Sequence, residues 1–229
     1  MMQMERVRGD PLPWLLEPDP VNPAVRFFAL RDLLDHSKDE PEVRQARLDI
    51  MTTGPVPAIL AAQHPEGYWV KAGAGYSPKY RGTVWQIIFL AELGADPTDE
   101  RVQRGCEYLL SHSLATTGAF SANQPPAPSG AVHCLNGNLL YALLSLGYAA
   151  DPRLQAALNW QAQAITGAEE ICYYKSGTAG PGFACGVNLG QPCGWGATKA
   201  LKALSAVPPA QRTLSVQRAI EAGDRKSVV

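Results

Sequence analysis

Two kinds of helical pattern alternate along the chain. Leu139–Gly147 is apolar on every side, and Val84–Leu93 is the same apart from Gln86 and Glu92. A helix apolar all round has to be enclosed by protein. Each of these runs is followed by an amphipathic one. Val102, Cys106, Leu109 and Leu110 fall at i, i+4, i+7 and i+8, opposite Glu100, Arg101 and Arg104, and Leu154, Ala157, Leu158 and Gln161 recur at similar spacing. A third apolar helix is expected over Cys193–Val207, and an earlier pair over Ala24–Asp35 and Pro41–Gln63. Strand signals are nearly absent. The pattern predicts an all-α fold in which enclosed helices alternate with half-buried ones in two concentric layers, an α/α barrel of about four helix pairs.

The repeat has a measurable length. Leu93-Gly94 and Leu146-Gly147 close successive apolar helices, 147 − 94 = 53 residues apart, and Leu204 follows Leu146 by 204 − 146 = 58. Each Leu-Gly is followed by Asp-Pro (Asp96-Pro97, Asp151-Pro152), which suits a short link into a helix because proline is tolerated in a first turn. The return links are long: 64–81, 113–132 and 166–192. In an alternating barrel they share one end, beside the starts of the enclosed helices. Long loops in compact domains commonly carry function, so the working face is expected there.

Gln63-His64-Pro65-Glu66-Gly67-Tyr68-Trp69 has the form Gln-x-x-x-Gly-x-Trp, Arg104–Leu109 supplies a basic-small-x-x-aromatic-aliphatic opening, and Gly118-Ala119-Phe120 is another ending. These pieces, in phase with the helix repeat, resemble the terpenoid cyclase and protein prenyltransferase α/α toroid family with its squalene–hopene cyclase repeats. The resemblance covers Ala24–Gly223. It implies an α/α toroid over residues 24–223, preceded by an N-terminal extension over 1–23, and a cavity for an apolar, isoprenoid-like ligand. It does not carry an activity with it. The acidic Asp-x-Asp-Asp cluster of the protonating cyclases has no counterpart in the sequence. Asp96-Pro97-Thr98-Asp99 has the wrong spacing and reads as helix-capping acids. The Asp, Cys and His zinc motifs of the prenyltransferases do not align either. An enzyme of this family and a non-catalytic toroid used for binding both stay open.

Family members usually close their ring with five to seven helix pairs, so about four make an incomplete arc. Val102-Gln103-Arg104-Gly105-Cys106-Glu107 recurs as Val216-Gln217-Arg218-Ala219-Ile220-Glu221, but the second copy then runs into Asp224-Arg225-Lys226-Ser227-Val228-Val229. That hexapeptide is what a common sequencing adapter encodes before an in-frame stop codon. The natural chain is therefore expected to continue beyond Gly223, with 224–229 a non-native tail. An open arc would leave an apolar edge for self-association.

Charge narrows the partners. The net charge is −1, which argues against nucleic acid or an anionic membrane as the main partner. No Asp, Glu, Lys or Arg occurs between Glu107 and Asp151. Yet prolines and Asn136-Gly137-Asn138 interrupt this stretch, and no apolar run reaches the roughly 20 residues of a membrane span. The residues from Met1 to Asp10 show no apolar run of the secretory kind, and the 5 cysteines form an odd set. A cytoplasmic chain with reduced thiols is expected.

The candidate chemistry sits in the return links. Cys172, Cys185 and Cys193 fall in or beside the last one, and His133-Cys134 opens the preceding apolar helix. Thiolates and imidazole are zinc ligands, so Cys172, Cys185 and Cys193 with Cys134 or His133 form a candidate zinc site, one able to activate a thiol or water. A metal-free reactive thiol and simple packing of small apolar side chains are the other readings. Cys106, on an apolar stripe, belongs to the core. Trp69, Tyr76, Tyr80, Trp85, Phe120 and Trp195, with Tyr173 and Tyr174, lie in or near the same links, and 176–198 carries no formal charge. An uncharged, aromatic-rich end suits an apolar small molecule. Loops that merely plug the barrel fit equally well. Lys71, Lys79 and Arg81 are either holders of a diphosphate or solvated loop charges.

Overall fold

A computed structural model describes residues 9–168 and 179–226. The chain is mostly helical and divides into two compact units, the first reaching to Ala62 and taking in Glu92–Asp96, the second made of Gln63–Ala91 and Pro97 onward.

The first unit holds α1 (Leu12–Leu16), α2 (Pro23–Phe28), α3 (Pro41–Thr52) and α4 (Pro55–Ala61). Its core is Phe27, Leu30, Val43, Ala46, Ile50, Val56 and Leu60. Gly94, at φ +74 and just past the end of α5 (Thr83–Glu92), lies directly against Phe27 and Ile50, where a side chain would crowd both. The helix expected over Pro41–Gln63 is two helices. Gly54 at φ +65, followed by Pro55, breaks it, because neither residue continues an α-helix.

The second unit carries three helix pairs: most of α5 with α6 (Glu100–His112), α7 (His133–Ser145) with α8 (Pro152–Thr166), and α9 (Gly194–Ala206) with α10 (Leu214–Lys226). The two apolar runs are enclosed as their patterns require. Val84, Ile87 and Leu90 of α5 and Leu139, Leu140 and Leu143 of α7 are fully buried. Helices α6 and α8 start alike. Asp99 caps α6 by accepting the Arg101 N–H at 2.8 Å, and Asp151 caps α8 by accepting the Arg153 N–H at 2.8 Å. In both, the arginine folds back so that its Nε donates to the same carboxylate oxygen at 3.0 Å. These hydrogen bonds hold both carboxyl groups below the usual range. Of the two acids in 96–99, Asp99 is thus the helix cap and the counterpart of Asp151.

The last two pairs stack layer on layer, α7 along α9 and α8 along α10. Gly137 makes this approach possible, since a Cβ there would overlap the Lys199–Ala200 peptide of α9. Helix α9 departs from the expectation of full enclosure. Ala200, Ala203 and Leu204 are buried, but Trp195, Thr198, Lys202 and Ser205 line an exposed face. Among the described residues, β1 (Ala179–Gly180) and β2 (Ala184–Cys185) make a two-stranded antiparallel hairpin, and no helix is long and apolar enough to cross a membrane.

Candidate functional site

The three return links interlock at the starts of the apolar helices. The first is tied to α6 by Gly73 N–H donating to the Tyr108 hydroxyl (2.8 Å), and to the second by Ala74 N–H donating to Gln124 Oε1 (2.5 Å) and Ser113 Oγ to the Ala74 carbonyl (2.8 Å). The second is clamped to α7 by Asn136, whose amide exchanges two hydrogen bonds with the Phe120 backbone, at 2.8 and 2.9 Å. The hairpin after α8 joins them through Ala179 N–H to the Ala131 carbonyl (2.9 Å). Ala119, Ala131, Trp160, Ala164 and Ala179 seal this junction with a buried apolar cluster.

A pocket of about 700 Å³ opens where these links meet the first residues of α7 and α9. Its wall takes Tyr76 and Lys79 from the first link, Asn123, Ser129 and Val132 from the second, and Cys134 from α7. The hairpin turn adds Cys185, Val187 and Asn188, and the start of α9 adds Cys193 and Trp195. This volume lies within the range of small-molecule sites. Among the described residues, Lys79 is the one lining residue with a formal charge. Its ammonium stands 5.1 Å from the Tyr80 ring and 5.9 Å from the Trp85 ring, so a cation is held at an aromatic edge of the site.

The expected ligand-facing aromatics separate into three groups. Tyr76 and Trp195 line the pocket. Trp85 and Tyr80 stand behind Tyr76, with Trp85 Nε1 donating to the Tyr76 carbonyl at 2.8 Å and its ring centroid 4.8 Å from that of Tyr80. Trp69 and Phe120 are buried and do not line the pocket. Trp69 lies against Gly105 of α6, and the Gln63 amide beside it donates to the Arg101 carbonyl at 2.9 Å. The Gln63–Trp69 motif thus fastens the first link to α6.

The cysteines also separate. Cys106 is fully buried in α6, and burial pushes its thiol up to about 12, as expected of a small hydrophobe. Cys134, Cys185 and Cys193 are half-buried free thiols on the one pocket wall. Burial pushes the Cys134 thiol up, and the nearby Cys185 and Cys193 add to the effect. Cys193 also caps α9, its sulfur accepting the Gly196 N–H at 3.4 Å. Cys172, Tyr173 and Tyr174 lie outside the described residues. Among the described residues, no group of three His, Cys, Asp or Glu side chains is closed into a metal-ligand arrangement.

His133 has a different task from its neighbour. It is buried, its Nε2–H donates to the Gly180 carbonyl at 2.9 Å, and its Nδ1 accepts from the Gln161 amide at 2.7 Å. The carbonyl fixes the Nε2–H tautomer, which leaves Nδ1 as the acceptor. With both nitrogens engaged and neither on the pocket wall, His133 binds the hairpin to α7 and α8 instead of offering a ligand nitrogen. Burial lowers its pKa to about 4, so the ring is neutral.

Asn123, Ser129, Val187 and Asn188 are pocket residues that the sequence reading passed over. They sit in links without periodicity, and their one signal is membership of the uncharged stretches. No known protein family is matched by this chain, and no curated protein matches it.

Proposed function

We propose that this pocket binds a small molecule with an apolar, isoprenoid-like body, within a prenyltransferase- and squalene cyclase-like α/α toroid arc. The observation that carries the reading is the pocket itself. The second of the three links that meet at it carries no formal charge, Tyr76, Val187 and Trp195 supply apolar surface, and Lys79 supplies a cation. Such a wall accommodates an apolar chain and leaves one edge for an anionic head group such as a diphosphate. Stacking of α7/α8 on α9/α10, with Gln63–Trp69 fastening a link to an outer helix, supports the toroid arrangement. No chemical step is assigned to the pocket.

The test is calorimetric titration of the purified chain with farnesol, farnesyl diphosphate and inorganic diphosphate. Farnesol and farnesyl diphosphate are expected to bind, the latter more tightly, with Lys79→Ala removing the difference between them. A folded protein that takes neither isoprenoid would refute the reading.

A further inference from the structure

Four of the 5 cysteines lie away from the α6 core position, and three of those four are described on one pocket wall. They arrive from three separate elements: Cys134 is the second residue of α7, Cys185 ends β2, and Cys193 immediately precedes α9. Packing alone gives no reason for three half-buried thiols to meet at a pocket rather than in the core, where Cys106 sits. We infer that Cys134, Cys185 and Cys193 form a three-thiolate site for a thiophilic divalent cation of the zinc class, with its remaining coordination position open to the pocket.

The electrostatics of the wall suit that charge. Three thiolates and a divalent cation sum to about one negative charge. The positive ends of two helix dipoles, at the starts of α7 and α9, stand at this pocket, and the Lys79 ammonium lines it too.

The thiols are gathered without being closed, so the cation would have to draw them together. Two have a means of moving. Cys193 gives up only a long 3.4 Å bond to the Gly196 N–H when its side chain turns inward. Cys185 anchors a turn held largely by its own hydrogen bonds, Gly190 N–H to the Cys185 carbonyl (2.9 Å) and Cys185 N–H to the Gln191 carbonyl (3.1 Å). That turn exposes Val187 and Leu189 at 82% and 92%, so little packing resists its displacement. His133 is excluded from the set because both its nitrogens are committed. The set therefore differs from the Asp, Cys and His ligands of the prenyltransferases, and the inference does not depend on the isoprenoid reading.

The experiment uses the full chain, reduced and stripped of metal under anaerobic conditions, and titrated with Zn²⁺ and with Cd²⁺. Cd²⁺ reports thiolate bonding by its ultraviolet charge-transfer absorption. One equivalent is expected to bind, and Cys134→Ser, Cys185→Ser and Cys193→Ser should each weaken binding by ~10-fold or more, since each removes one of only three protein ligands. Cys106→Ala and Cys172→Ser should leave the affinity unchanged, with circular dichroism confirming the helical fold of every variant. The inference is overturned if the folded protein takes up neither ion, if the triple Cys134/Cys185/Cys193→Ser variant still binds, or if Cys172→Ser alone abolishes binding. Rapid closure of a disulfide among the three, with no metal uptake, also overturns it. Isoprenoid titration of the metal-free protein is scored separately, so either result can fail without the other.

Discussion

Helices α7 and α9 meet in two contrasting ways along one shared length. At their middle, Gly137 lies on the Lys199–Ala200 peptide with no room for a methyl group, flanked by buried Leu139, Leu140, Ala203 and Leu204. Near their starts, the same two helices contribute Cys134, Cys193 and Trp195 to the wall of an open pocket. The middle is closed by a missing side chain. The end is opened by the links that enter beside the helix starts and are pinned there by Asn136 and His133. One pair of helices therefore supplies a closed seam and an open site, separated by about one turn.

Breaking the seam should cost most. Gly137→Ala forces a Cβ into the α9 backbone, and about 3 kcal/mol of stability should be lost, read as a lowered thermal midpoint. Next comes the pin between seam and site. The unfolded His133 takes up a proton below about 6.5, whereas the folded ring resists until about 4. The unfolded state binds more protons in that window, so stability is fully present above it and falls as pH drops through it, by about 3 kcal/mol in total. Denaturant titrations of the metal-free protein between those pH values should show this fall, and His133→Gln should flatten it. Asp151→Ala, at an outer-helix start remote from the α7–α9 seam, should cost only about 1 kcal/mol as an ordinary cap loss. Trp195→Ala should change stability least, by under about 0.5 kcal/mol, because the ring is 67% exposed, while weakening isoprenoid binding about tenfold. If Trp195→Ala unfolds the chain, the pocket end is structural and the contrast fails.

The seam was more legible in the sequence than the site. Continuous apolar runs announce α5 and α7, and Leu-Gly closes each, because burial and a left-handed turn leave few residue choices. The open face of α9 was also written there, since Trp195, Thr198, Lys202 and Ser205 recur at helical spacing among buried alanines. The cap of α6 was displaced by three residues because Asp96 and Asp99 both precede it, and only Asp99 has an arginine two residues on. Composition located the working end but could not sort its aromatics. Whether a ring faces a pocket or a glycine depends on its partner, and the partner of Trp69 is Gly105, more than thirty positions away. The thiols were marked out by their number and neighbourhood, but the two roles within His133-Cys134 were not. A one-residue step on a helix turns the next side chain by about 100°, which puts the imidazole against the hairpin and the thiol on the pocket wall.

The matched caps of α6 and α8 have a consequence for how such a chain can diversify. Each of these two helices starts with an aspartate and the arginine two positions later, and this pair marks where the helix begins after the short link from the apolar helix before it. Changes of length or sequence in that short link then leave the start of the following helix in place. A lineage built this way could duplicate whole pairs as interchangeable cassettes. Selection for a new ligand would act on the loops while the scaffold stayed silent.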